Sequence, residues 1–449
     1  MFGFTVKRFL QSLNAALKLT PGCETLLVAY SGGIDSHVLL HACSELQEKQ
    51  PSLNVEAVYI DHGLHQDSDK WRLHCNAVSQ QLSIRFNSIK VDARDVNNDG
   101  PEQAARKARY GAFEKLVNQG VVLFTAQHQD DQAETLMLQL LRGCGIDGLA
   151  AMPKVDTFSK GHLVRPFLEL DKASIIAYAE HYNLSWIEDP SNKELNYNRN
   201  YLRHNVIPTI KERWPAFART TARTASHCAE SSDVLDNYLA QYINAQEPRI
   251  LDISSLVLKD GAEQRAIYRY WLKCNDVTMP SSKILNEIVE GVVNAIDDKS
   301  PILQWNDVEV RRHQQCLYLL NKLSAIPAGD IIDWKGDKCS LPHSLGDLML
   351  MPTDGEGISK DIWTSSLITI KFRQGGEKLK IEGREGTKQV KKLLNERAVP
   401  VWIRQRVPLV YINDELAAVA GYWINASFIA KPNQQGYQIK WQQPDFLIN

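Results

Sequence analysis

The sequence predicts an α/β protein: a doubly wound parallel sheet, followed by a helical middle domain and a small α+β C-terminal domain. Three observations carry that prediction. In the first 150 residues short apolar runs alternate with helical patterns, as when parallel strands are joined by crossover helices. The densest polar clusters sit directly after those runs, where such sheets bind ligands. Later the character changes twice, to helical periods from about residue 203 and to strand-like runs from about residue 367.

Residues 25–30 read as the first strand, and 37–43 open a helix. Strands follow at 55–60, 84–91 and 121–125, with helices at 102–117 and 130–141. Gly143-Cys144-Gly145-Ile146-Asp147-Gly148 has the spacing of a dinucleotide-binding turn, but it follows a helix rather than a strand and reads as a helix-ending loop. Pro190-Ser191-Asn192 is a turn. Helical patterns cover 203–245, 262–273 and 281–294, until Pro327-Ala328-Gly329 breaks them. Residues 325–365 resist assignment, and strands reappear at 367–370 and 408–412. The implied domains are 1–215, 216–325 and 326–449, the last regular from about 366.

The bulk numbers exclude several classes. A chain of 449 residues with 44% hydrophobic content can bury two to four cores. No apolar run approaches the roughly 20 residues of a membrane helix. The eight cysteines are scattered, with no two closer than 20 residues, which argues against a CxxC metal or redox site and suits a reducing compartment. The first 23 residues lack acidic groups and carry Lys7, Arg8 and Lys18, a faint transit-peptide character. Phe2, Phe9, Leu10, Leu13 and Leu17 fit an amphipathic helix better. With a net charge of only −2, any nucleic-acid surface must be local.

Ser31-Gly32-Gly33-Ile34-Asp35-Ser36 is the most informative stretch. Two glycines between a strand and a helix let backbone N–H groups approach an anion, the helix N-terminus adds positive potential, and two serines add hydroxyls. This is a phosphate cradle, and it is not a Walker loop. Asp35 would repel phosphates unless a divalent cation lies between them. The second strand ends in Asp61-His62-Gly63-Leu64, and the fourth in a run from Thr125 through His128, Asp130 and Asp131 to Glu134. Asp130 and Glu134, four apart, share a helix face. A bound cation would relieve their repulsion; a solvated, dipole-favoured helix start is the plainer alternative.

Ser-Gly-Gly-x-Asp-Ser resembles the PP-loop of ATP pyrophosphatases, which carry a Rossmann-like sheet and split ATP between its α and β phosphates. The wider set resembles the tRNA(Ile)-lysidine synthetase family. It comprises that loop, Asp61 to Leu64, Ala105-Arg106-x-x-Arg109-Tyr110, His128-x-Asp130-Asp131-Gln132-x-Glu134-Thr135, Arg142-Gly143 leading to Met152, and Arg165-Pro166-Phe167-Leu168. It continues through Trp186-x-Glu188-Asp189-Pro190-Ser191-Asn192 and Tyr197-x-Arg199-Asn200-x-x-Arg203, then resumes at Phe372-Arg373-x-Gly375-Gly376-Glu377, Lys391-Lys392-Leu393-Leu394 and Val399-Pro400-x-Trp402. Residues 225–365 match only in general helical character. Lys172 stands where the family's helix would carry arginine, and Gln127 where many members have a second histidine.

The resemblance implies a ligase using ATP and Mg²⁺. It would adenylate the wobble cytidine of the CAU-anticodon isoleucine tRNA and join free L-lysine to carbon 2, releasing pyrophosphate and then AMP. Catalytic roles would fall to Asp35, Arg106, His128, Asp130, Asp131 and Glu134. Nucleotide would be held by Ser31, Gly32, Gly33, Ile34, Asp35, Ser36, Asp61 and His62, and the metal by Asp35 and Asp131. The RNA would meet Arg165, Asp189, Asn192, Arg199, Arg203, Arg373, Lys391 and Lys392, with Arg213 adding a phosphate contact. Residues 371–406 hold eleven Lys and Arg against four Glu, a local basic segment with Phe372 and Trp402 interleaved. A cytoplasmic enzyme without a membrane partner follows, and the resemblance leaves room for a homodimer. The competing expectations are another PP-loop enzyme, such as an RNA thiolase or an amidotransferase-type synthetase, or a non-catalytic RNA-binding protein. The first would carry paired cysteines, the second a glutaminase domain, and the third an eroded cradle.

Overall fold

The computed structural model describes residues 2–63, 67–92, 101–293, 301–324 and 329–443. Leu64, Asn294, Pro327 and Ala328, named above, lie outside them. The chain divides into two compact units, Met1–Leu235 and Asp236–Asn449.

The first unit is the expected sheet. Strands β1 (Thr25–Ala29), β2 (Asn54–Asp61), β3 (Arg85–Lys90), β4 (Val121–Phe124), β5 (Val155–Phe158) and β6 (Gly161–Val164) lie in the order β3-β2-β1-β4-β6-β5. All neighbours are parallel except the β5–β6 hairpin at one edge. Helices α1 (Phe2–Lys18), α2 (Ile34–Lys49), α3 (Ser68–Gln81), α4 (Pro101–Glu114), α5 (Gln129–Leu141), α6 (Ile146–Leu149) and α7 (Lys172–His181) accompany it. The strands are apolar on both faces because each face carries its own core: Leu26, Val28 and Phe124 pack with α1, α2 and α7, while Leu27, Val58 and Leu123 pack with α4. In α1, Phe9, Leu13 and Ala16 are fully buried on one face, as the amphipathic reading expects. The chain runs outward from β1 to β3 and then crosses to β4 on the other side. The carboxyl ends of β1 and β4 therefore flank the switch point of the sheet, the place where open α/β sheets bind ligands.

Gly143, at φ +72°, follows the C-cap of α5, and α6 starts three residues later, so the Gly-rich stretch is a helix-ending loop. The helical run after residue 197 is interrupted. α8 (Asn198–Tyr201) passes through a π-turn, Leu202–Val206, into α9 (Ile207–Arg213), and α10 (Phe217–Leu239) begins after Trp214-Pro215.

The second unit starts with the expected helices, α11 (Gly261–Cys274) and α12 (Ser282–Glu287), the latter running into a π-turn, Ile288–Val293. The middle segment also holds a sheet that the helical expectation lacked. β7 (Ile250–Asp252), β8 (Ile302–Trp305), β9 (Val308–His313) and β10 (Cys316–Asn321) pair antiparallel in the order β7-β10-β9-β8. On one face Leu303, Trp305, Val310, Leu317 and Leu319 are buried in one core with Trp271 of α11, while Glu309 and Leu320 are buried next to them in sequence. The Gln314-Gln315 turn, with Gln314 at φ +53°, lacks the glycine or asparagine that marks a tight hairpin.

Residues 331–442 form two further sheets and a short ribbon. β11 (Ile331–Asp333), β12 (Lys338–Ser340), β13 (Asp347–Asp354), β14 (Ile358–Ser359) and α13 (Lys360–Thr364) fill the stretch that resisted assignment. β15 (Ile368–Phe372), β16 (Lys378–Leu379), β17 (Lys388–Gln389), α14 (Val390–Glu396), α15 (Val401–Arg404), β18 (Pro408–Ile412), β19 (Glu415–Val419), β20 (Trp423–Ile424) and β21 (Gln435–Gln442) complete the unit. The sheets are β11-β15-β18-β19-β20 and β12-β13-β21-β14, around a core that includes Trp363, Ile370, Leu393, Leu394, Trp402 and Trp441.

Candidate active site

The cradle is built by packing rather than by its glycines alone. Gly32 sits at φ +84°, and a Cβ there would stand 2.7 Å from Ile187 Cδ1 and 3.0 Å from Cys75 Sγ. The Ile187 N–H donates to Gly32 O at 2.9 Å, so the segment carrying Glu188 and Asp189 staples the loop from outside. Gly33 caps α2 without a side chain, leaving the first N–H groups of the helix open. The Ser36 hydroxyl accepts from Ser31 N–H at 3.2 Å and donates to Gly33 O at 3.0 Å, which closes the loop on itself. Ile34 packs inward against the sheet core and contributes backbone only.

Opposite the cradle, the end of β4 becomes α5 through a reciprocal cap. Asp131 Oδ2 accepts the His128 N–H at 3.0 Å, and His128 Nδ1 accepts the Asp130 N–H at 3.2 Å. That second bond sets the tautomer: with Nδ1 an acceptor, the ring proton is on Nε2. Nε2 lies 3.4 Å from Asp131 Oδ2 and 3.7 Å from Asp35 Oδ1, so one buried imidazole faces both carboxylates.

The acidic residues do not pair as their spacing suggests. Asp130 and Glu134 share a helix face, but Asp130 is held by Lys211, while Glu134 is buried at 1% exposure between Arg199 and Arg203. Arg203 Nε and Arg199 Nε reach the Glu134 oxygens at 2.6 and 2.7 Å, and both arginines also reach Asp131 Oδ1, at 3.1 and 3.0 Å. The repulsion is therefore relieved by the chain's own cations. Burial alone would raise the Asp131 carboxyl, but His128, Arg199 and Arg203 outweigh it and hold it below the ordinary carboxylate value. In this arrangement Arg199 and Arg203 brace α5, a role the expectation of RNA contact had not included.

Of the residues singled out from sequence, Ser31, Asp35, Ser36, His62, Arg106, Asp131 and Arg199 line one cleft, together with Tyr110 and Gln127. His62 Nδ1 and Gln127 Oε1 are buried there without hydrogen-bond partners among the described residues, which suits a ligand with its own donors and acceptors. Burial and Arg109 push the His62 imidazole below its ordinary value. The Arg106 guanidinium lies 4.7 Å from the centre of the Tyr110 ring. Arg106, Tyr110 and Arg199 also border a second cleft of about 770 Å³, whose other walls include Lys107, Arg142 and Tyr197.

Other expected site residues stand elsewhere. Asp61 is buried and accepts the Gly63 N–H at 2.9 Å, shaping its own turn. Arg165, 4% exposed, donates to Pro153 O at 2.7 Å, so the RNA contact expected of it gives way to a buried brace. Asp189 caps the turn Pro190–Lys193, and the Asn192 carbonyl accepts from His204 Nε2 at 2.8 Å. In the second unit the basic segment is partly spent on structure. Arg406 is buried and donates to Trp402 O and Ser324 O. Arg373 lies near Glu377 at 3.7 Å, and Arg384 and Lys388 pair with Glu396. Lys391 and Lys392 are exposed on α14, whose other face buries Leu393 and Leu394. Sequence reasoning missed Lys211 and the partner of Lys172, whose ammonium binds Asp35 Oδ1. The only local signal was that Lys172 stood out of pattern.

Comparison with known proteins fits this geometry. A PP-loop domain model matches residues 5–210, a TilS substrate binding domain model 251–318, and a TilS substrate C-terminal domain model 368–441. The tRNA(Ile)-lysidine synthase of Coxiella burnetii is 40% identical over 98% of this chain and 97% of its own. The chain belongs to the tRNA(Ile)-lysidine synthase family. The family member from Methylococcus capsulatus is 38% identical over 96% of this chain and 99% of its own. Among solved structures, the U34-tRNA thiolase NcsA of Methanococcus maripaludis covers 51% of this chain at 14% identity, with a TM-score of 0.43. Like the rest of the synthase family, the chain is an ATP-dependent ligase forming a carbon–nitrogen bond. Among the described residues no helix is long and apolar enough to cross a membrane.

Proposed function

We propose that this chain joins free L-lysine to carbon 2 of the wobble cytidine of tRNA(Ile) with a CAU anticodon. The observation that carries the reading is the meeting, at the switch point of the sheet, of a nucleotide cradle with a second basic cleft that shares Arg106, Tyr110 and Arg199. The first cleft would hold ATP, with its phosphates on the loop Ser31–Ser36 and its polar edges on His62 and Gln127. The cytidine would enter through the second.

Asp35 and Asp131 fit a Mg²⁺ ion. Their hard oxygens converge on one side of His128, and Mg²⁺ needs only one or two carboxylates when phosphates complete its shell. When bound, the ion supplies charge neutralisation on the phosphates. The chain's residues do the rest. Arg106 faces the α-phosphate as cytidine O2 attacks it and the bond to pyrophosphate breaks. The lysine ε-nitrogen then attacks carbon 2, and the bond to AMP breaks. His128 Nε2 faces the carboxylates of Asp35 and Asp131 and orients them, and the proton that the lysine ammonium must lose passes to Asp130. Asp130 is the residue we assign to the lysine ammonium, because it already holds a primary ammonium, that of Lys211.

The same reading divides the chain at 1–215, 216–325 and 326–449 and gives the last part, with Arg373, Lys391 and Lys392, to RNA binding. It places the enzyme in the cytoplasm, where its eight scattered cysteines stay reduced. It also leaves room for a homodimer, which sedimentation would decide. The test is incorporation of radiolabelled lysine into tRNA(Ile), with AMP and pyrophosphate formed in equal amounts; ADP and phosphate as products would overturn the reading. Asp130→Asn should let adenylated RNA accumulate while lysine transfer falls.

A further inference from the structure

We propose that Lys172 is a switching cation of the nucleotide site. Its ammonium neutralises Asp35 while the cleft is empty, and it moves onto the nucleotide's phosphates when a divalent cation takes Asp35. The inference rests on the reading of this cleft as a metal–ATP site.

Lys172 is the first residue of α7, and its backbone is pinned from both sides. Asp171 accepts the Ser174 N–H at 2.7 Å, and Leu170 O accepts the Gln129 N–H at 3.0 Å, tying this helix start to that of α5. The side chain by contrast is 36% exposed, and its Nζ is 2.5 Å from Asp35 Oδ1. A fixed base with a long, exposed, four-carbon stem is built to swing.

Two charges decide where it swings. A divalent cation on Asp35 and an ammonium on the same carboxylate oxygen repel each other strongly at contact distance, so metal binding must evict Lys172. Asp131, which also faces His128, cannot take it, because the same divalent cation would lie against that carboxylate, whose charge Arg199 and Arg203 already offset. The remaining anion beside the cradle is the incoming triphosphate. A lysine suits this exchange better than an arginine: it is a compact charge with three rotatable donors, whereas a guanidinium would hold Asp35 as a fork.

The exchange predicts effects of opposite sign from one substitution. Mn²⁺ binding to the full chain without nucleotide is read by electron paramagnetic resonance. Binding of an Mn²⁺-complexed, non-hydrolysable ATP analogue is read by calorimetry. Lys172→Met should bind Mn²⁺ alone about fivefold tighter, having lost a competing cation, and the metal–nucleotide complex about tenfold weaker, having lost a charged phosphate contact. Lys172→Arg should leave Mn²⁺ alone weakly bound and restore much of the nucleotide affinity. A purely structural lysine would shift both affinities in one direction or leave both unchanged, and either result overturns the proposal. If Lys172→Met fails to fold by circular dichroism, Lys172→Arg decides: Mn²⁺ bound tighter than in the unmodified protein would overturn the idea. An unmodified protein that binds no metal–nucleotide complex would overturn the reading of the site itself, and this inference with it.

Discussion

Glu134 shows at the residue scale how much of the site is scaffold. It is a buried carboxylate between two guanidiniums, and removing one member of such a set leaves charge uncompensated. Glu134→Gln should cost about 3 kcal/mol in urea unfolding. An unchanged midpoint would mean that Arg199 and Arg203 are held by Asp131 alone. His37, behind the cradle, makes the pH prediction. Burial and the neighbouring His74 lower it to about 4. Its folded affinity for a proton lies below the unfolded value of about 6.5, so the unfolded chain binds more protons between these values. The stability it contributes is present above about pH 6.5 and lost as pH falls toward 4, by up to about 3 kcal/mol. Melting temperatures across that window should fall, and His37→Gln should flatten the slope. Sequence alone showed the acidic and basic residue types here but not their pairing. Nothing local says that Lys211 meets Asp130 81 residues away, or that Asp35 meets Lys172 across 137.

At the element scale, the strand–loop–helix unit of β1 and α2 was legible because each signal is local: an apolar run, two glycines, then helix formers. What makes the glycine necessary was not legible, since Ile187 and Cys75 come from other elements. Gly32→Ala should therefore do more than stiffen a turn. With φ +84° and Ile187 2.7 Å away, it should cost about 1–3 kcal/mol and weaken nucleotide binding at least tenfold. Calorimetry with an ATP analogue checks this, and near-normal affinity would show that the loop relaxes freely. The middle sheet failed to show for the opposite reason. Its β8–β9 hairpin does carry a local turn signal, Asn306-Asp307 with Asn306 at φ +48°, but the Gln314-Gln315 turn carries none of the residues that announce a tight hairpin, and α11 and α12 dominated the pattern around them.

At the scale of the whole molecule, the division at Leu235 falls inside α10, so a chain kept to the first unit has to run to that helix's end at Leu239. A chain ending there should keep nucleotide binding and lose RNA affinity. A cut near Leu367 is worse than the basic segment alone would suggest. It would strip β21 from an eight-residue ladder with β13 and expose Trp363. That truncated chain should aggregate, and a soluble, cooperatively melting product would contradict the ladder's importance. For RNA binding, the cations still facing solvent matter more than the total of eleven. Lys391→Ala with Lys392→Ala should lower the slope of log affinity against log salt by about two. Parallel lines of equal affinity would assign these lysines to solvation of α14.

The sequence by itself determined the class of the first unit, the cradle, the ends of strands where chemistry gathers, and the basic character of residues 371–406. Each follows from signals carried within a few residues: periodicity, glycine spacing and charge type. Only the tertiary structure decided which charges cancel, which arginines brace instead of bind, and which lysine guards Asp35. Those outcomes depend on contacts between elements far apart in the chain. A charge pair has no period and no local signature, and its value is set by burial and by the partner that folding delivers.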